Sequence, residues 1–159
     1  MSLGGDLDNY WLYPTAYNAI PNSRNGSLSD PNSGNFLRDD SIANLFNGGF
    51  AVNNSTTPPT GSALTDVGAF SLADSFYGTF DQGGNVWEWN DAIIRDGRGI
   101  RGGAWLNDEY FLRASDRFSL VPAAEFDVFG FRVAIVPEPS VGGLMALGMA
   151  LVAWKRKGS

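Results

Sequence analysis

"GGNVWEW", residues 83 to 89, is the stretch on which the fold turns. Its Gly-Gly-Asn opening is turn chemistry, and the residues after it suit an extended strand. Side chains alternate across a strand, so Trp87 and Trp89 share one face while Val86 and Glu88 share the other. Two indoles on one face require a core. Glu88 is left on the reverse side of a half-buried strand, where a carboxylate needs a cation, a donor or water.

Downstream, "IRGGAW" (residues 100–105) reads as a second short strand, separated from the first by a charged turn, "DGRG" (96–99). "YFLRASDRFSL" (110–120) suits a strand or a short helix equally, because periodicity does not choose between them. "VFGFRVAIV" (128–136) is an apolar run with β-branched residues and reads as a buried strand. Upstream, residues 16–66 are crowded with Asn, Ser, Gly, Pro and Asp, as in "NAIPNSRNGSLSDPNSGN" and "NNSTTPPTGS". Such clusters leave little room for long helices and predict loops with short elements such as "IANLF" (42–46). The expected fold class is a loop-rich α+β domain with a small antiparallel sheet.

A chain of 159 residues has room for one domain and a tail, and 13% aromatic content with 18% charged residues is a globular composition. A net charge of −6 argues against a nucleic-acid partner, which would require a basic face. There is no cysteine and no histidine. Disulfides, thiolate catalysis and zinc–thiolate sites are excluded, as is imidazole acting as base or metal ligand. Chemistry is left to carboxylate, hydroxyl, amide, Lys and Arg.

Residues 1–9 carry neither a charged n-region nor an apolar h-region, so they read as a flexible leader and not as a signal peptide. The ending, "VPEPSVGGLMALGMALVAWKRKGS", differs from everything before it. Pro137 and Pro139 break the preceding strand, an uncharged stretch runs from 141 to 154, and Lys155, Arg156 and Lys157 follow. About 15 helical residues at ~1.5 Å each reach roughly 22 Å, short of a hydrocarbon core of about 30 Å. Snorkelling basic residues recover part of the difference and keep that end cytoplasmic, placing residues 1–135 outside. Residues 136–159 are therefore expected to form a C-terminal hydrophobic helix that anchors the chain to the membrane. The Val-Pro-Glu-Pro motif, short apolar helix and basic end resemble a PEP-CTERM sorting signal. The resemblance implies an exported bacterial protein handled by an exosortase-type enzyme, with a destination at the cell envelope or beyond.

Asp81 and Glu88 flank the glycine turn, and two carboxylates with converging turn carbonyls are donors that a hard cation such as calcium accepts. The spacing is not that of an EF-hand loop. The structural alternative pairs Glu88 with an arginine, either Arg101, Arg113 or Arg132. The ordered motifs Gly84-Asn85-Val86-Trp87-Glu88-Trp89, Arg101-Gly102-Gly103-Ala104-Trp105, Arg113 with Arg117, and Gly130-Phe131-Arg132 are similar to those of the formylglycine-generating enzyme, or sulfatase-modifying factor, family. "ANLFNGGF" (43–50) and "VGAF" (67–70) fit as well, and the likeness runs over residues 10–135. It implies a C-type-lectin-like domain supported by calcium. One site would use the Asp81 side chain, the Gly84 and Val86 carbonyls and the Glu88 carboxylate; a second would use Asn44 and the Leu45 carbonyl.

The resemblance carries no catalytic or cofactor-binding residues with it. The family's oxidases bind copper through two cysteines after the Arg-Gly-Gly motif, where this chain has "AWLNDEYF" (104–111), and its iron branch uses histidines. The family's N-terminal half, with an Arg-Leu-Pro-type motif, has no counterpart before "WLYP" (11–14), so residues 10–135 read as its C-terminal part. That predicts water-exposed Trp87, Trp89, Trp105 and Phe131, and marginal folding, dimerisation or a complementing chain. The expected function is a non-catalytic, calcium-stabilised binding or structural domain, with extracellular polysaccharide or protein as ligand. Two alternatives stand beside it: a hydrolase using a pair from Asp81, Glu88, Asp108, Glu109 and Asp116, and a remnant without independent function.

Overall fold

The computed structural model describes residues 10–24, 30–42, 47–61 and 63–133. The leader, most of the "IANLF" element and the whole sorting-signal region, with its expected helix, lie outside the described residues. Among the described residues eight strands follow in order: β1 (Asn22–Ser23), β2 (Ser33–Gly34), β3 (Leu37–Asp39), β4 (Gly48–Phe50), β5 (Trp87–Ile94), β6 (Gly97–Arg101), β7 (Phe118–Leu120) and β8 (Phe129–Gly130). Glu109–Leu112 forms a 3-10 turn whose first N–H groups are capped by Asp108, the carboxylate accepting from Tyr110 N. No α-helix occurs among the described residues, so the α component expected from sequence is not found there.

The central sheet has the order β7-β6-β5-β8. β5 pairs antiparallel with β6 and β6 with β7, whereas β8 runs parallel to β5. The sheet expected to be antiparallel is therefore mixed. β1 and β2 are parallel as well, and β3 pairs antiparallel with β4. The hairpin turn falls on Arg95 and Asp96, with Arg95 in the left-handed region, so Gly97 and Gly99, read as turn residues, belong to β6. At Gly99 an added Cβ would meet the Asn90 side-chain oxygen at 2.4 Å, so the Asn90 amide would have to turn aside. "YFLRASDRFSL" supplies both elements it allowed, the 3-10 turn and β7.

Trp87 and Trp89 pack on one side of β5, as alternation requires. Trp87 is buried with Ile100 and Ala104, and Trp89, Phe111, Leu120, Val128 and Phe129 close around them. The rings meet edge-on, Trp87 lying 5.3 Å from Phe118 and 5.8 Å from Phe111. This geometry sets ring edges against π faces and adds to plain burial. A second cluster joins Tyr13, Phe36 and Leu112 across the two halves of the chain. Two expectations fail here. Trp87 is not exposed, being 8% accessible, because residues 111–129 fold over it. The described part of the run "VFGFRVAIV", residues 128–133, is not a buried strand: among the described residues only Phe129–Gly130 pairs, and Phe131 and Val133 are 76% and 88% exposed.

Burial of this kind has a direct readout. Trp87→Ala should cost about 3–5 kcal/mol, whereas Phe131→Ala should stay within roughly 0.5 kcal/mol of the parent. Urea unfolding followed by near-UV circular dichroism measures both, and equal losses would contradict the described packing.

Candidate functional site

The turn before β5 is built from backbone that few residues adopt. Asp81, Gly84 and Asn85 have φ of +55°, +79° and +64°. At Gly84 a Cβ would lie 2.1 Å from the Asn35 carbonyl oxygen, so only glycine fits. Asn85, which tolerates this region, is tied down by six bonds: its N–H donates to Asn35 O (2.7 Å), its Nδ2 to Thr65 O (3.2 Å), its Oδ1 accepts from Asn35 Nδ2 (2.9 Å), Thr65 N (2.9 Å) and Thr65 Oγ1 (3.3 Å), and its carbonyl accepts from Trp105 N (3.0 Å). Asn35 is 1% exposed and also donates to Ala63 O at 2.8 Å.

The turn thus holds Asp81, Gly84, Asn85, Val86 and Glu88 around a cavity of about 210 Å³, closed by Val67, Gly130, Phe131 and Arg132. The four residues expected at the first calcium site all line it. Asn44 and Leu45, expected at the second, lie outside the described residues. The Asp81 carboxylate accepts from the N–H groups of Gly68 and Phe70, which ties the 66–70 loop to the turn. Of the partners the opening motif allowed Glu88, the structure supplies a cation, Arg132. Its Nε donates to Glu88 Oε1, one terminal nitrogen to Phe80 O (2.6 Å) and the other to Asp81 O.

Strand geometry explains why Arg132 and not another arginine. Gly130 on β8 sits opposite Glu88, and Arg132 lies two residues further along, returning to the same side. Arg101 is also opposite Glu88, on β6, but its guanidinium turns to the Ala114 carbonyl, which Arg117 shares. Arg113 lies over the Tyr110 ring, 5.1 Å from its centroid. Burial pushes the Glu88 carboxyl above its ordinary range; the hydrogen bond and charge of Arg132 pull it partly back, and the charge of Asp81 raises it again.

Two carboxylates beside a left-handed turn rich in carbonyls make a hard-oxygen donor set, and calcium fits its chemistry. Among the described residues no group of three or more carboxylates gathers, so a cation here would rest on Asp81, Glu88 and backbone oxygens, sharing Glu88 with Arg132. The other acids expected to serve a hydrolase lie elsewhere. Asp108 caps the 3-10 turn, Glu109 faces Arg38 at 3.8 Å, and Asp116 is half-buried with its carboxyl pushed up by desolvation. None of these three lines the Glu88 cavity.

Sequence reasoning missed the loop partners Asn35, Thr65 and Val67 and the carbonyl of Phe80. No spacing rule connects them to the turn.

The comparisons agree with this construction. Residues 29–136, more than half of the chain, match the sulfatase-modifying factor enzyme 1-like domain, and residues 136–157 match the PEP-CTERM protein-sorting motif. The chain belongs to the sulfatase-modifying factor family, and its mostly strand-and-loop structure with few helical turns fits a C-type-lectin-like fold. The sorting motif implies recognition by exosortase-type machinery and points to the cell envelope or the exterior. No curated protein and no solved structure matches the chain. Among the described residues no helix is long and apolar enough to cross a membrane.

Arg132 should govern how stability depends on pH. A carboxyl whose folded pKa is raised favours the fold below its unfolded pKa and loses that advantage as pH rises through the folded pKa. Arg132→Met removes the lowering partner, so Glu88 shifts further up and its cost appears above that range. With both side chains partly exposed, at 39% and 22%, the loss should be on the order of 1–2 kcal/mol at pH 8 and smaller at pH 4.5. Denaturation midpoints at the two pH values measure it; an equal penalty at both would mean that Glu88 is not the group responsible.

Proposed function

We propose that this chain is a non-catalytic, calcium-supported binding or structural domain of an exported, envelope-sorted protein. The observation that carries the reading is the Glu88 cavity. It gathers the turn and the carboxylates that the resemblance assigns to a calcium site, while the chain contains neither the cysteines nor the histidines on which the known redox chemistry would rest. Calcium would be held by the Asp81 and Glu88 carboxylates with the Gly84 and Val86 carbonyls. When bound, it would supply charge neutralisation at a desolvated acid. The chain's own residues already orient that acid, the glycine turn fixing β5 and the 66–70 loop fixing Asp81. Ligands in this reading are extracellular, either polysaccharide or a complementing protein chain.

One observation favours a second reading of the same cavity. Arg132 makes three bonds within it, so the guanidinium alone could serve as the permanent counter-charge, with metal superfluous.

Thermal unfolding of the full chain in calcium and in EDTA separates the two. A ligand present at about 100 times its Kd adds ~2.7 kcal/mol, several degrees in Tm for a domain of this size. The calcium reading expects that shift, and expects Asp81→Asn to abolish it. An unchanged Tm gives the cavity to Arg132, and absence of any cooperative transition, even with calcium, would favour the remnant reading.

A further inference from the structure

We propose that the groove passing over Trp89 and Phe131 is a saccharide-binding surface, and that its ligand is a neutral, pyranose-based polysaccharide. The proposal rests on the non-catalytic binding reading above and supplies the ligand class that reading leaves open. Two open hollows, of about 440 and 630 Å³, meet at these two residues. One is lined by Phe126, Phe129, Glu125 and Asp127, the other by Asn90, Asp91, Arg98 and Arg132.

The aromatic floor is exposed at Phe126 and Phe131 and braced along Trp89, Phe129 and Phe126. Phe126 and Phe131 are 63% and 76% exposed. Phe129 stands edge-on to both Trp89 (5.6 Å) and Phe126 (5.3 Å), so the rings brace one another. Rigid rings offer contact area with few torsions to freeze. Their π faces are negative, and the axial C–H groups of a pyranose carry the complementary partial positive charge.

The rim carries planar polar groups that suit hydroxyls. Among the described residues the carboxylates of Asp91, Glu125 and Asp127 make no hydrogen bond or ion pair within the protein, leaving them to accept from ligand O–H groups. Arg98 donates to the Asp91 carbonyl at 3.0 Å, which holds both residues at the groove. Three carboxylates against Arg98 and Arg132 leave the surface acidic, so polyanionic glycans are disfavoured and neutral ones preferred.

A peptide strand added to the edge of β5 is the competing occupant, and the backbone speaks against it. β8 pairs only with Trp87 and Glu88. Beyond them the register with β6 shifts between Trp89 and Ile93, and Ala92 N is already taken by the Asn90 side chain at 2.9 Å. An irregular edge with a satisfied donor is a poor template for strand addition.

The test presents the folded full chain, in a detergent without a sugar headgroup, to a panel of immobilised α- and β-linked neutral hexosans and N-acetylhexosaminans, acidic polyuronates and peptides. The strongest binder is then titrated calorimetrically. Saturable binding to a neutral glycan is expected, weakened at least tenfold by Phe131→Ala and by Asp91→Ala with Tm unchanged. Phe131 is exposed, so loss of the fold does not confound that variant. Preference for polyuronates or peptides, no neutral glycan bound, or indifference to both substitutions would overturn the proposal. Near-UV circular dichroism on the same sample distinguishes the levels: a folded chain that binds nothing sinks the groove alone, whereas an unfolded one sinks the domain reading with it.

Discussion

The structure depends on one amide pair, a buried Asn35 and a half-buried Asn85. Asn35 and Asn85, fifty residues apart, exchange backbone and side-chain hydrogen bonds with each other. Asn35 sits in the loop-rich half, among short strands that could not bury themselves. Asn85 ends the glycine turn that launches β5. Their pairing gives an irregular segment a fixed reference on the sheet, and it satisfies polar groups that would otherwise be costly to bury. The left-handed turn follows from it, since Gly84 can approach the Asn35 carbonyl only without a Cβ. Asp81 and Glu88 are then set by position, one on each side of the turn.

The sheet follows the sequence where periodicity is strong. Trp87 and Trp89 on one face and Glu88 on the other, the β5–β6 hairpin, and the reading of 16–66 as loops with short elements all follow from alternation and turn residues. The parallel placement of β8 does not. A two-residue strand carries no period, and its partner is more than forty residues away. The run from 128 to 136 looked buried because it is apolar, yet among its described residues, 128–133, the sheet pairs only two.

The candidate site was legible to a similar depth. A carboxylate set behind two tryptophans needs a cation, a donor or water, and that need is written in "VWEW" alone. Which cation meets it was not, because Arg101, Arg113 and Arg132 are equal on composition. Arg101 even faces Glu88 across the ladder, and loses because the Ala114 carbonyl takes its guanidinium. The choice is made by tertiary register.

The position of Arg132 also has a mechanical side. It lies four residues before the start of the matched sorting motif, and β8, the strand that carries it to Glu88, is two residues long. Any tension entering through the chain beyond residue 133 falls first on this short parallel strand and the guanidinium clasp, before it can reach the hairpin. That is the end to which the matched sorting motif belongs. Pulling from that end draws away the acid's partner together with Phe129, the ring that β8 contributes to the tryptophan core.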